Sequence, residues 1–423
     1  MISRRGLISG VAGVSAACVA VKSLAEAKPS GALSARADDE AGWAAVAAEY
    51  DVAPEIINLE NGNWGLMARP VLAAYQAHTE RVNRENSFYA RRGFGEDFRR
   101  IRTRVALALG VGEDEIAFTR GATEALQNLI GGYRGLKPGD KVMIADLDYD
   151  SIQSAMEAKA AREGAELVRL SIPEPADHDG LIDFYLAALE KHPQTKLLLL
   201  THISHRTGLC IPVRAIAEAV RVRGVDVVVD AAHSWGQLDF KAPDLGADFV
   251  GFNLHKWIGA PIGVGVLYIK RDRLDRIEPN ISASEWERGR IEGRVHTGTS
   301  NFAAMLAVDD ALDFHERVGS AAKEARLEYL RNRWVSQVKS LDSIEILTAE
   351  DSRLHAGITS FRMRGMTSIE DNVAIVEELL DKHRIFTVHR TGVAAGACVR
   401  VTPSLYNSAS DVDALAVALK AMS

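Results

Sequence analysis

Three cysteines are too few for a disulfide-stapled scaffold, and Cys18, Cys210 and Cys398 lack the close spacing of a zinc site, so no metal centre is expected. Cys18 falls in a segment expected to be removed. Cys210 and Cys398 read as free, buried thiols, because unpaired cysteine packs as a small apolar residue. The formal net charge of -7 is mild and gives no electrostatic reason to expect nucleic acid or an anionic membrane as partner. Internal repeats, low-complexity tracts and heptads are missing, which removes solenoids and coiled coils. No apolar run reaches the ~20 residues that span a bilayer. Gly263-Val264-Gly265 lacks a third glycine and precedes a strand, so a dinucleotide fingerprint is absent.

What remains is a chain of 423 residues, 47% hydrophobic and 25% charged. That is ordinary globular composition, and the length favours two domains. The first residues, Ser3-Arg4-Arg5-Gly6-Leu7, lead into a small-residue apolar stretch to Val21, then Lys22 and an Ala25-Glu26-Ala27 exit. Basic start, apolar middle and small-residue exit are the parts of a secretory signal. The paired arginines resemble a twin-arginine signal, so residues 1–27 are expected to direct export to the periplasm or beyond; a disordered basic tail is the competing reading. No membrane contact is expected once the signal is gone. Residues 28–57 read as a lead-in packing on the smaller domain.

From Ile116 to Ile269 short apolar runs alternate with amphipathic helical stretches. Strands are expected at Glu115–Phe118, Lys141–Ala145, Glu166–Leu170, Lys196–His202, Val225–Asp230, Phe249–Asn253 and Val264–Ile269, with helices at Ser151–Gly164 and Val213–Arg223. This is an α/β layout with a mainly parallel sheet between helices. Residues 304–338 read as one long helical region, broken near Gly319. Helices at Asp371–Lys382 and Asp411–Met422 with strands at Gly357–Met363 and Ala397–Val401 complete a smaller α+β unit. The boundaries expected are 58–295 for the large cofactor-binding domain and 296–423 for the small one.

Three places carry chemistry. Lys256 closes the apolar run Phe249–Asn253, beside Trp257 and a glycine-rich turn. A partly buried amine has a lowered pKa and is freed for Schiff-base formation; a surface lysine at a strand end is the plainer alternative. Asp230 ends the strand Val225–Val229. Ligands of parallel sheets sit at the carboxyl ends of strands, and an acid there can pair with a protonated pyridine nitrogen; alone it could be a helix cap. Gly121-Ala122-Thr123 follows a strand and opens a helix, a place suited to phosphate.

Gly121-Ala122-Thr123-Glu124-Ala125, Asp230-Ala231-Ala232-His233 and His255-Lys256-Trp257, in that order, resemble the class V aminotransferase family over residues 58–423. The resemblance implies a fold-type I pyridoxal-phosphate transferase, seven strands in its main sheet, with pyridoxal 5'-phosphate as cofactor and a homodimer with shared sites. It implies that Lys256 forms the Schiff base, Asp230 faces the pyridine nitrogen and His233 lies near the phenolic oxygen. Thr123 and the Gly121 and Ala122 amides would hold the phosphate with Asn253 and His255. Tyr149 would stack on the ring, and His205 takes the place of a polar contact to the phenolic oxygen. Thr299 would reach the neighbouring subunit's phosphate, with a helix cap before Ala303 as the rival reading. Arg400 matches the substrate-carboxylate arginine, against a structural salt bridge; Asn61 lies in the loop at the substrate pocket.

The reaction expected is aminotransfer on an amino-acid-like or peptide-like amine, with epimerisation of the isopenicillin N epimerase type as the alternative. A non-catalytic protein retaining the fold is the reading from another class. Desulfuration is set aside: it needs a mobile thiolate upstream of Arg400, and His389–Gly396 contains no cysteine.

Overall fold

The seven expected strands all pair in one sheet. In the computed structural model, which describes residues 36–423, they are β1 (Ile116–Thr119), β2 (Lys141–Ala145), β3 (Glu166–Leu170), β4 (Thr195–Thr201), β5 (Asp226–Asp230), β6 (Phe249–Asn253) and β7 (Gly265–Ile269). Their order is β1-β7-β6-β5-β4-β2-β3. Only β7 runs against the rest, antiparallel to both β1 and β6. The expected signal, residues 1–27, lies outside the described residues.

The unbroken apolar runs have a direct cause. Successive side chains of a strand point to opposite faces, and here both faces are covered. Val227 and Val229 join Leu198, Leu200 and Val250 in one core. Val228 joins Leu197, Leu199 and Phe249 in the other. Helices Ala122–Gly132 and Asp150–Glu163 cover the second face, through Leu126, Leu129, Ile152 and Met156. Helices His178–Lys191 and Val213–Arg221 cover the first, through Leu181, Tyr185, Ile216 and Val220.

The long helical region divides at Gly319, whose φ of +89° is open to glycine but strained for other residues. Phe302–Val318 buries into the large core. Ser320–Val338 turns its Leu330 and Trp334 onto a separate core with Phe361, Val399 and Leu415. That core lies on an antiparallel sheet of β8 (Ile344–Ile346), β9 (Thr359–Met363), β10 (Val388–Arg390) and β11 (Cys398–Val401), ordered β10-β11-β9-β8. The N-terminal part of the described chain touches both units, with Trp43 and Val46 in the large core. Glu40 pairs with Arg326, Ile57–Asn58 pairs with Ile385–Phe386, and Glu60 bridges Thr402. Cys210 and Cys398 are free and buried.

Candidate active site

Parallel strands end on one edge, so the tips of β4, β5 and β6 lie side by side, with Thr201 in register with Asp230. A cavity of about 550 Å³ opens there. Thr123, Tyr149, His205, Asp230, His233 and Asn253 line it, as do His255, Lys256, Arg390 and Arg400.

Lys256 is half-buried at the cavity wall, and its Nζ lies 2.9 Å from His233 Nε2. Burial, reinforced by the nearby Arg400 charge, lowers its pKa to about 7 against the pull of Asp230 and Glu60. The segment around it is held closely: the Gly65 N–H donates to the His255 carbonyl at 2.8 Å. A Cβ on Gly65 would stand 1.9 Å from the Lys256 carbonyl oxygen, so only glycine allows this approach. His233 is kept neutral first by burial and then by the Lys256 charge.

Asp230 is buried at the end of β5, and its Oδ1 accepts the Ala232 N–H at 2.9 Å. Burial raises its pKa, opposed by that amide and by Lys256. A cationic ring nitrogen against it would favour the ionised form. Tyr149 sets its ring edge-on to His205, centroids 5.2 Å apart. Burial, then the Arg206 charge, holds His205 well below the usual imidazole range.

Asp148, which the sequence reading did not single out as an anchor, fixes the turn that presents Tyr149. It accepts the Ala145 N–H and the Thr201 hydroxyl, both at 2.7 Å. Burial lifts its pKa to about 7.

At the phosphate end, Gly121 and Thr123 border the cavity, with His255 across from Gly121. The Ala122 N–H, however, donates to Asn253 Oδ1 at 2.7 Å. That pair is already satisfied, so the anion is left to Thr123 and the other first-turn amides, which a helix start leaves unbonded.

Asn61 and Arg400 differ from expectation, and for Thr299 the helix-cap reading falls. Asn61 is not at the cavity: its amide donates to the Thr402 carbonyl (2.9 Å) and accepts from Tyr406 (2.5 Å). Gly62 and Asn63 take the lining place. Arg400 does line the cavity, but it is 1% exposed, and its Nη2 bonds both oxygens of Glu60 at 2.6 and 2.7 Å. Its Nη1 donates to the His205 carbonyl at 2.7 Å. Thr299 is exposed and away from the cavity, near Asn86 and Arg91. It does not cap the following helix, because Asn301 does, accepting the Ala304 N–H.

Arg390 and Glu60 were missed. Arg390 has a half-exposed side chain reaching Glu60 at 3.4 Å. No strand was read there in the sequence, so its place beside Arg400 comes only from the pairing. With Arg390 opposite Cys398 and Val388 opposite Arg400, the two arginines are diagonal neighbours on one face.

A mainly parallel sheet with amine, carboxylate and helix start converging at its strand tips defines a pyridoxal-phosphate enzyme of fold-type I. Residues 67–415 match aminotransferase class-V, and the chain belongs to that family. Isopenicillin N epimerase from Streptomyces clavuligerus is 26% identical over 402 residues, covering 90% of this chain and 98% of that one. The fold is shared with the cysteine desulfurase CsdA from Escherichia coli, at TM-score 0.76 and 21% identity over 90% and 98% of the two chains. It is shared too with C-DES, solved with glycine covalently linked to its PLP cofactor, at TM-score 0.73 and 23% identity over 86% and 96%.

Proposed function

We propose that this enzyme moves the α-proton of an amino-acid-like or peptide-like amine, with amino-group transfer as the outcome. The observation that carries the reading is the Lys256 amine, half uncharged near neutrality and 2.9 Å from a neutral imidazole at the cavity wall. Bound pyridoxal phosphate supplies an aldehyde for the amine and a ring that accepts the electron pair left at the α-carbon. The donor set fits that group: a buried carboxylate for its ring nitrogen, a free amine for its aldehyde and a helix start for its phosphate.

Lys256 takes the α-proton as a neutral base and returns it. His233 accepts a hydrogen bond from Nζ and aims it. Asp230 would hold a proton on the ring nitrogen. Thr123 and the first-turn amides, with His255, would hold its phosphate, and Tyr149 at the cavity wall would shield the ring from water. His205 stands edge-on to Tyr149 and keeps it in place. Arg390 would orient the substrate carboxylate, with Arg400 behind it engaged by Glu60. Thr299, on an exposed segment away from its own cavity, would serve the site of a second copy in a homodimer. The Arg4-Arg5 signal supports a periplasmic or secreted enzyme.

Desulfuration remains disfavoured. The Cys398 thiol is buried, contacts the Arg206 carbonyl, and is pushed up to about 11 by burial. Epimerisation is the second reading, favoured by the near full-length match to an epimerase. Incubating the reconstituted enzyme with amines in heavy water separates the readings. Keto product, with solvent deuterium at the α-carbon of the recovered amine, supports transfer, and inversion with deuterium at the α-carbon but no keto product supports epimerisation. No exchange with any amine overturns both and favours a non-catalytic protein.

A further inference from the structure

We propose that Glu60 is a specificity-determining residue: it cancels one of the two cavity arginines, so that the site takes amines bearing a single carboxylate and turns dicarboxylates away. The inference deepens the proposed function and rests on reading the cavity as an amine site.

Glu60 is fixed by its backbone. Its N–H donates to Asn58 Oδ1 at 2.9 Å, and it forms a parallel bridge with Thr402, next to the strand that carries Arg400. Its side chain is 7% exposed. Both of its oxygens lie on Arg400 Nη2, at 2.6 and 2.7 Å.

Arg400 is equally fixed. Its Nη1 is tied to the His205 carbonyl. Gly62 lies so close that a Cβ there would stand 2.5 Å from Nη2. A planar fork grips a carboxylate through two parallel N–H bonds. In Arg400 that grip is not free, because Nη2 is held by both Glu60 oxygens and Nη1 by the His205 carbonyl.

Arg390 is different. It touches Glu60 only at 3.4 Å, its side chain is 28% exposed, and it borders the cavity. Two guanidiniums against one carboxylate leave a single positive charge.

The other charges facing the cavity cancel among themselves. Arg120 pairs with Glu124 at 2.7 Å. Arg206 pairs with Asp150 at 2.5 Å and with the Thr391 carbonyl. Asp230 and Lys256 belong to the cofactor, and burial keeps His205, His233 and His255 uncharged. A substrate's first carboxylate therefore meets Arg390. A second, brought near the same place, meets the Glu60 charge in a poorly screened setting, and like charges in such sites strongly disfavour binding.

The test uses acids without an amine, so that it reads the carboxylate subsite apart from turnover. Propionate and succinate are titrated by calorimetry into apo-protein and into cofactor-loaded protein, for wild type, Glu60→Gln and Glu60→Asp. Wild type is expected to bind propionate at least about tenfold more tightly than succinate, the scale of one unfavourable charge contact. Glu60→Gln is expected to reverse the order, with succinate gaining about tenfold or more, while Glu60→Asp keeps the wild-type preference. A Glu60→Gln protein that loses propionate without gaining succinate makes Glu60 a mere brace for Arg400 and overturns the proposal. Wild type preferring succinate overturns it whether or not the variants fold. The visible Schiff-base band, recorded on the loaded protein, reports separately on whether the cofactor sits at Lys256.

Discussion

Lys256, half-buried at the cavity wall, and Lys323, fully buried, are both pushed to about 7 by desolvation, and their surroundings are opposite. Lys323 lies inside the helix Ser320–Val338, 3% exposed, with Nζ bonded to the Trp257 carbonyl at 2.6 Å and to His315 Nδ1 at 3.0 Å. No carboxylate lies within ion-pair reach of it among the described residues. Lys256 faces the cavity, with Asp230 and Glu60 drawing its pKa upward and Arg400 pressing it down. A perturbed pKa marks a functional group only where a substrate can reach it and complementary charges converge. Lys323 has the perturbation without the access. Its role is to hold the carbonyl of the residue that follows Lys256.

The largest break in this comparison comes from removing each amine. Lys256→Ala is expected to abolish the visible Schiff-base band and lower turnover by at least about 10²–10⁴-fold, measured by absorption and steady-state rates; a retained covalent band would make Lys323 or another amine the attachment point. Asp230→Asn is next. Turnover should fall about 10²–10³-fold, the usual size of losing one preorganised electrostatic partner. The apo-protein's Tm should match or exceed wild type, since a buried carboxylate without a cationic partner destabilises the fold. A drop in Tm with unchanged rate would assign Asp230 a structural role.

Third, cofactor capture by apo-protein should speed up about tenfold per pH unit up to about 7 and level off above, because only the neutral Lys256 amine attacks. Stopped-flow absorption across that range checks it. The smallest effect belongs to Lys323→Met. Lys323 is neutral when folded and charged when unfolded, so folding releases a proton and stability rises with pH from about 7 towards the ordinary 10.5. Lys256 adds to the same slope, and the difference between wild type and variant isolates Lys323. The variant should show a flatter stability-pH curve in denaturant titrations. Its turnover should stay within about tenfold, the scale of one hydrogen bond of ~1 kcal/mol.

The residues most legible in the sequence were those whose neighbours in space are also neighbours in sequence. Asp230 and Lys256 each close an apolar run, and parallel strands bring such ends together. Tyr149 and Thr123 follow strand ends in the same way. The misread residues depend on distant partners. Whether Ala122 offered its amide to a ligand turned on Asn253, 131 positions later. Asn61 is claimed by Thr402 and Tyr406, some 340 positions away. Glu60 looks like any charged residue near a turn until Arg400 arrives at 2.6 Å.

Apolar runs alternating with amphipathic stretches and the glycine at 319 were enough to determine the layered fold, because those features act over a few residues at a time, and the strand-end motifs carried the family resemblance that implied the cofactor. Which arginine stays free, which carboxylate neutralises the other and which buried lysine faces solvent-filled space were decided only when the small sheet closed over the strand tips. Charges interact through distance in space, and the local pattern of a chain does not encode that distance.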